Sequence, residues 1–175
     1  MLKLSIIVPV YHAESYIRLC LESIFKQGID DADFEIIIVN DGTKDRSMEV
    51  IADIILTYNN ITIINQKSQG LPVAHNTGID VSKGKYILMP DADNLLIEDC
   101  LKPLPEKALE IYANLVVADY LWLLNIYRKG HESPTFSFNT KTTKDFCIAI
   151  AKTCSICLKD TSCYHKMIYT SSIVT

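Results

Sequence analysis

No run of Lys or Arg occurs in this chain, and 17 basic against 21 acidic residues leave a formal net charge of -4 and a sequence pI near 5.5. The electrostatic footprint that nucleic-acid binding requires is absent, which excludes that class of partner. Long apolar runs are missing as well. The longest, Ala113 to Tyr127, falls short of the roughly 20 residues of a membrane span and carries Asp119 in its middle. The N-terminal apolar run holds Pro9 and leads into His12 and Glu14, not into a small-residue cleavage site, so the expected location is the cytoplasm. Glycine is scarce, and the six present (Gly28, Gly42, Gly70, Gly78, Gly84 and Gly130) form no G-x-G-x-x-G dinucleotide fingerprint. Gly78 and Gly84-Lys85 stand one residue too far apart for a phosphate loop, with Tyr86 where that loop needs Ser or Thr. No G-x-S-x-G elbow is present, which argues against a serine hydrolase of α/β architecture.

What the chain does have is the composition of one globular domain: 175 residues, 49% hydrophobic and 22% charged, without internal repeat, low-complexity tract or linker. A chain of this length buries roughly two-thirds of its extended surface and needs no disulfide. Cys20, Cys100 and Cys147 sit alone in apolar periodic segments and read as core thiols. Cys154, Cys157, Cys163 and His165 form a C-x-x-C-x5-C-x-H string, enough ligands for one tetrahedral zinc, although the spacing matches no common finger.

Residues 4–10 form a β-branched apolar run, and Ile17, Cys20, Leu21, Ile24 and Phe25 then recur at helical spacing up to Gly28. The unit repeats with a strand at Phe34 to Val39, the turn Asp41-Gly42, and helical spacing from Met48 to Tyr58. Ile61 to Ile64, Tyr86 to Met89 and Leu115 to Ala118 are further strands, with a short helix over Gly70 to Val81. Pro103 and Pro105 predict a break before a helix from about Glu106 to Tyr112. Beyond residue 120 the pattern weakens to an extended Tyr120 to Tyr127, a turn over Lys129 to Pro134 and a helical Thr143 to Cys154. Strands apolar on both faces, alternating with helices, predict an α/β fold: a mostly parallel central sheet with helices on both faces.

In such a sheet ligands bind at the carboxyl ends of the strands, although the fold by itself names no activity. Three strand ends are polar there: Pro9 to Glu14, Asn40 to Thr43, and Pro90 to Asn94. In an extended segment residues i and i+2 point the same way, so Asp91 and Asp93 can present both carboxylates to one divalent cation, Mg2+ or Mn2+. The same two acids also fit a solvated turn that caps the next segment. Tyr11 fits either an aromatic rim or a stacking face for a planar base. Asp41 fits either a turn before Gly42 or an acceptor for a base N–H.

Four ordered blocks, Ser5 to Glu14 (SIIVPVYHAE), Glu35 to Gly42 (EIIIVNDG), Gln69 to Gly78 (QGLPVAHNTG) and Gly84 to Asp93 (GKYILMPDAD), resemble successive blocks of the family 2 inverting glycosyltransferases. The resemblance implies a GT-A, nucleotide-diphospho-sugar transferase fold, a divalent metal, and transfer of sugar from a nucleotide-sugar donor with inversion. A UDP-sugar is the expected donor, and a saccharide or lipid-linked saccharide in cell-surface polysaccharide synthesis the expected acceptor. Carried over by matching position, Pro9 and Tyr11 border the nucleobase, Glu14 supports the first loop, and Asp41 with Gly42 meets the uracil edge. Gly70 lets backbone approach the nucleotide, Asn76 lies near the diphosphate, and Asp91 with Asp93 forms the D-x-D pair, Asp93 as metal ligand and Asp91 facing ribose or metal.

His12 stands where the family usually has Asn, His75 where it has Arg, and Asn94 where a third acid is common. The family's base is one acid of an Asp/Glu pair in the second half of the domain. Here the acids after Pro105 are isolated, and Cys163 to Val174 resembles the stretch that precedes the base. The expected organisation is therefore a single domain over residues 1–175: a nucleotide-sugar-binding part at 1–95 and a partial, truncated acceptor side at 96–175, with the base expected outside the chain and Asp119 as the one internal candidate to substitute for it. The alternative is a sugar-nucleotide-binding module without turnover. Family members often act at the inner membrane face, where this chain would need a partner or further residues to associate peripherally.

Overall fold

Every residue of β1 (Leu4–Val10) is buried, and so is β2 (Phe34–Asn40) as far as Val39. A strand buried on both faces must be covered on both, and the alternation of side chains sorts them into two packed layers. Leu4, Ile6, Val8 and Val10, with Phe34, Ile36 and Ile38, meet Ile17, Cys20, Leu21 and Ile24 of α1 (Ile17–Phe25) and Ile54 of α2 (Ala52–Thr57). On the opposite face Ile7, Ile37, Val39 and Ile87 pack against Ala74 and Ile79 of α3 (Leu71–Val81). The structure, a computed structural model, describes residues 2–96, 98–110, 115–117 and 155–158.

The remaining elements are β3 (Ile61–Asn65), β4 (Tyr86–Leu88), α4 (Pro103–Glu110), β5 (Leu115–Val117) and β6 (Ser155–Leu158). The six strands order as β3-β2-β1-β4-β6-β5. The first four are parallel, as predicted, while β6 runs antiparallel to both β4 and β5. A strand at 155–158 is absent from the sequence reading, and its partners β4 and β5 are distant in the chain. Cys157 belongs to this strand, opposite Ile87 and Leu115. Asp119, Cys147, Cys154, Cys163, His165 and the segments 120–127, 129–134, 143–154 and 163–174 lie outside the described residues, as does residue 97.

Two boundaries differ from expectation. The helix expected from Met48 starts at Ala52, after a stretch of separate turns closed by Val50 N–H to the Arg46 carbonyl and Ala52 N–H to that of Glu49. The helix expected from Glu106 starts at Pro103, because the first four N–H groups of a helix have no partner inside it and both prolines fall in that first turn.

At the amino edge of the sheet a buried network locks the α3–β4 turn. Glu35 accepts from the Ser5 hydroxyl (2.6 Å) and the Lys83 N–H (2.6 Å), and Ser5 in turn accepts from the Gly84 N–H (2.8 Å). A Cβ on Gly84 would lie 2.4 Å from the Ser5 nitrogen and 2.5 Å from the Leu4 carbonyl carbon, both main-chain atoms that cannot rotate away. Gly84→Ala is expected to lower stability by about 3 kcal/mol, read as a shift in denaturant midpoint, since overpacking here must displace β1 itself.

Candidate functional site

β1 pairs with β2 as far as Val10 and Asn40, but with β4 only from Leu4 to Ile6. Pro9, which has no N–H for a ladder, lies past the last β1–β4 pair. The chain order also reverses at this seam, with β2 and β3 on one side of β1 and β4 on the other. Such a switch point is where open α/β sheets bind ligands. A cleft of about 460 Å3 opens there, lined by Pro9, Tyr11 and His12 after β1, Asp41 after β2, Ser68 and Gly70 before α3, and Asp91 and Asp93 after β4. A smaller cleft of about 210 Å3 lies at the opposite edge of the sheet, where Lys3 and Asp33 (2.8 Å) satisfy one another.

Asp41 lies beneath the cleft, 3% exposed. Its Oδ1 accepts from Gln66 Nε2 (2.7 Å) and the Gln69 N–H (2.9 Å), and its Oδ2 from the Gly70 N–H (2.9 Å) and the Ser68 hydroxyl (3.3 Å). A carboxylate offers about four acceptor sites, so this one is filled from the β3–α3 loop. Burial by itself raises the Asp41 pKa, but the four donors outweigh it and hold the carboxyl below its ordinary value. Gly42 follows at φ +69, and a Cβ there would approach the Ser68 nitrogen to 2.9 Å. That position closes the two loops together and admits only glycine without strain.

Asp91 and Asp93 flank Ala92 in a turn closed by the Asn94 N–H on the Asp91 carbonyl (2.9 Å). This differs from the extended segment expected, yet both acids still line the cleft. Asp91 keeps an exposed surface at the cleft mouth but lies low enough between its walls that desolvation, first, and the charge of Asp93, second, raise its pKa. Among the described residues neither carboxylate has a cationic partner, and no cluster of three or more His, Cys, Asp or Glu is present. Two like charges side by side without a counter-ion suit a cation that takes its other ligands from water and a diphosphate.

Residues 5–156 match the family described as Glycosyl transferase family 2. The chain belongs to that family. Glycosyltransferase GlyG of Streptococcus pneumoniae serotype 4 is 32% identical over 146 residues, 83% of this chain and 46% of the relative. A poly(ribitol-phosphate) beta-glucosyltransferase of Bacillus spizizenii is 34% identical over 102 residues, 57% of this chain and 16% of the relative. The crystal structure of S. aureus TarS 1-349 in complex with UDP-GlcNAc superposes with a TM-score of 0.74 at 21% identity, covering 90% of this chain and 46% of that one. The fold is accordingly the GT-A glycosyltransferase fold, and the chain spans less than half the length of the curated relatives it matches first.

Of the positions carried over from this family, Pro9, Tyr11, Asp41, Gly70, Asp91 and Asp93 meet at one cleft. Gly42 adjoins it. Glu14 sits behind it, where its Oε2 accepts the Arg46 N–H (2.9 Å) and so joins the first two loops. Asn76 is exposed on α3 and does not line the cleft, nor does half-buried His75. Burial lowers the His75 pKa to about 4, leaving a neutral ring whose Nε2 has no partner among the described residues. Unlike the family's arginine, His75 brings no cation at neutral pH.

Sequence reasoning missed Gln66 and Ser68, which fill Asp41, and the trio Thr43, Asp45 and Ser47. The available signal for the trio was the run of side chains in Thr43-Lys44-Asp45-Arg46-Ser47 that bond to nearby main chain. Among the described residues no helix is long and apolar enough to cross a membrane.

Proposed function

We propose that the cleft binds the nucleoside diphosphate of a sugar donor, with UDP as the nucleotide, and that the chain is the donor-binding part of an inverting glycosyltransferase. The observation that carries this reading is the unpaired Asp91–Asp93 couple on the same cleft as Tyr11 and Asp41. Tyr11 is 53% exposed at the rim, where its ring, in edge contact with that of His12, offers an aromatic surface to a base. Asp41 receives a base N–H by releasing Ser68, the longest of its four donors at 3.3 Å. Gly70, where a Cβ would meet nothing nearer than Pro72 at 3.9 Å, leaves main chain open to the nucleotide.

Asp91 and Asp93 would hold Mn2+ or Mg2+, which when bound stabilises charge developing on the departing diphosphate. The acceptor is a saccharide or lipid-linked saccharide hydroxyl, in keeping with a relative named for glucosylating poly(ribitol-phosphate), and the product part of a cell-surface polysaccharide. That hydroxyl must lose its proton to a carboxylate as it attacks. Among the described residues, Asp41 is filled by loop donors and Asp91 and Asp93 face the diphosphate, so the base comes from elsewhere, Asp119 remaining a candidate. The alternative is a module that binds donor without turning it over.

Calorimetric titration of UDP, first with Mn2+ and then with a chelator, tests the proposal. Manganese-dependent binding is expected, and donor consumption in the presence of acceptor then separates enzyme from module. Lack of UDP binding in both conditions would overturn the reading.

A further inference from the structure

Asp45 does not line the cleft, yet the loop that carries Tyr11 into it hangs on this side chain. Three consecutive main-chain N–H groups after β1 are received by the β2–α2 loop: His12 by the Thr43 hydroxyl oxygen (2.8 Å), Ala13 by that of Ser47 (2.9 Å), and Glu14 by Asp45 Oδ2 (3.1 Å). Both hydroxyls give their own protons to Asp45 Oδ1, Thr43 at 2.7 Å and Ser47 at 2.5 Å, and the Ser47 N–H adds a third donor at 3.1 Å. A hydroxyl has one proton, and a carboxylate only accepts. With each proton committed to Asp45, the lone pairs of Thr43 and Ser47 turn to the N–H groups of His12 and Ala13.

The held segment needs such support. His12 has φ +52, a left-handed conformation that residues with a Cβ avoid, and it falls between Tyr11 and the buried Ala13. Burial alone would raise the Asp45 pKa, but its donors, Ser47 foremost, hold it well below the ordinary carboxylate range, so it stays an acceptor throughout neutral and mildly acidic conditions.

We propose that Asp45 is a positioning residue for the sugar donor: its carboxylate sets the proton directions of Thr43 and Ser47, and through them the main chain on which Tyr11 and His12 enter the cleft. The functional half of this inference rests on the nucleotide reading above.

Asp45→Asn keeps the volume but turns one acceptor into a donor, so either the Glu14 N–H or the two hydroxyls face another N–H. The full chain is compared by amide hydrogen exchange and by UDP titration with Mn2+. In the variant, exchange at residues 12, 13 and 14 is expected to rise about tenfold, and Kd for UDP to weaken about tenfold, the scale of one net hydrogen bond. The amides of β1 at Ile6 and Ile7 stay protected and report intact folding. Thr43→Val and Ser47→Ala are expected to loosen mainly His12 and mainly Ala13, which keeps the inference testable should Asp45→Asn fail to fold. Unchanged exchange at 12–14 in the folded variants would overturn it, as would loosened amides with wild-type UDP affinity. Wild-type protein that binds no UDP would instead remove the nucleotide reading, with the exchange pattern still deciding whether Asp45 holds the loop.

Discussion

Asp41→Ala is expected to weaken UDP binding by about 100-fold, roughly 2.8 kcal/mol, while leaving the affinity for Mn2+ alone nearly unchanged. The substitution removes the acceptor for four donors drawn from Gln66, Ser68, Gln69 and Gly70, two of them main-chain N–H groups. Donors left beneath a cleft without an acceptor cost free energy individually, so stability should also fall, by about 3 kcal/mol. Loss of UDP affinity follows from both causes, since the base loses its carboxylate and Gly70 loses its anchor. The acid side of the stability profile separates this explanation from generic damage. The folded-state pKa of Asp41 is depressed, so its contribution is fully present above the unfolded carboxyl value and is lost as the pH falls through the folded one. Asp41→Ala should therefore lose more stability at neutral pH than in acid. An equal loss at both would contradict the assigned role, as would UDP affinity within about threefold of wild type.

The parts of the fold that the sequence announces are those with a period. β1 and β2 are runs of seven residues with one face against α1 and the other against α3, and each is apolar beyond one polar residue near its start, from Ile6 to Val10 and from Ile36 to Val39. The cleft is legible for a related reason: in a parallel sheet the residues that follow each strand are brought to the same edge whatever the helices between them do. Pro9, Tyr11, Asp41, Asp91 and Asp93 are thus grouped by strand order alone.

What the sequence hides is how the polar atoms are spent. Asp41 and the loop that fills it are separated by 25 to 29 positions, and no local pattern links Asp41 to Gln66 or Gly70. Asp45 is hidden in the opposite way, because its partners Thr43 and Ser47 are so close that the run passes for an ordinary polar turn. β6 escapes because its pairing with β4 and β5 is a long-range choice made by a segment of four residues. Its block puts Asn76 near the diphosphate, whereas on α3 it is exposed and outside the cleft lining, and Ala74, two positions earlier, lines the cleft.

The second large effect is expected at Asp93. Asp93→Ala should abolish metal-dependent nucleotide binding, leaving UDP affinity the same with Mn2+ as with chelator, because Asp93 is the proposed protein ligand of the cation that also carries the diphosphate. The expected loss exceeds the roughly 10–100-fold that follows removal of an outer-shell partner of a metal. Stability should move the other way or not at all, since the two acids stand together without a cationic partner among the described residues and removal of one relieves their repulsion. This opposite sign distinguishes a ligand from a structural turn: had Asp93 served only to cap the segment after β4, Asp93→Ala would destabilise the fold and spare the metal. Asp93→Ala protein that binds UDP with undiminished manganese dependence would refute the ligand assignment, whereas stable protein that has lost only the manganese response would place Asp93 on the cation.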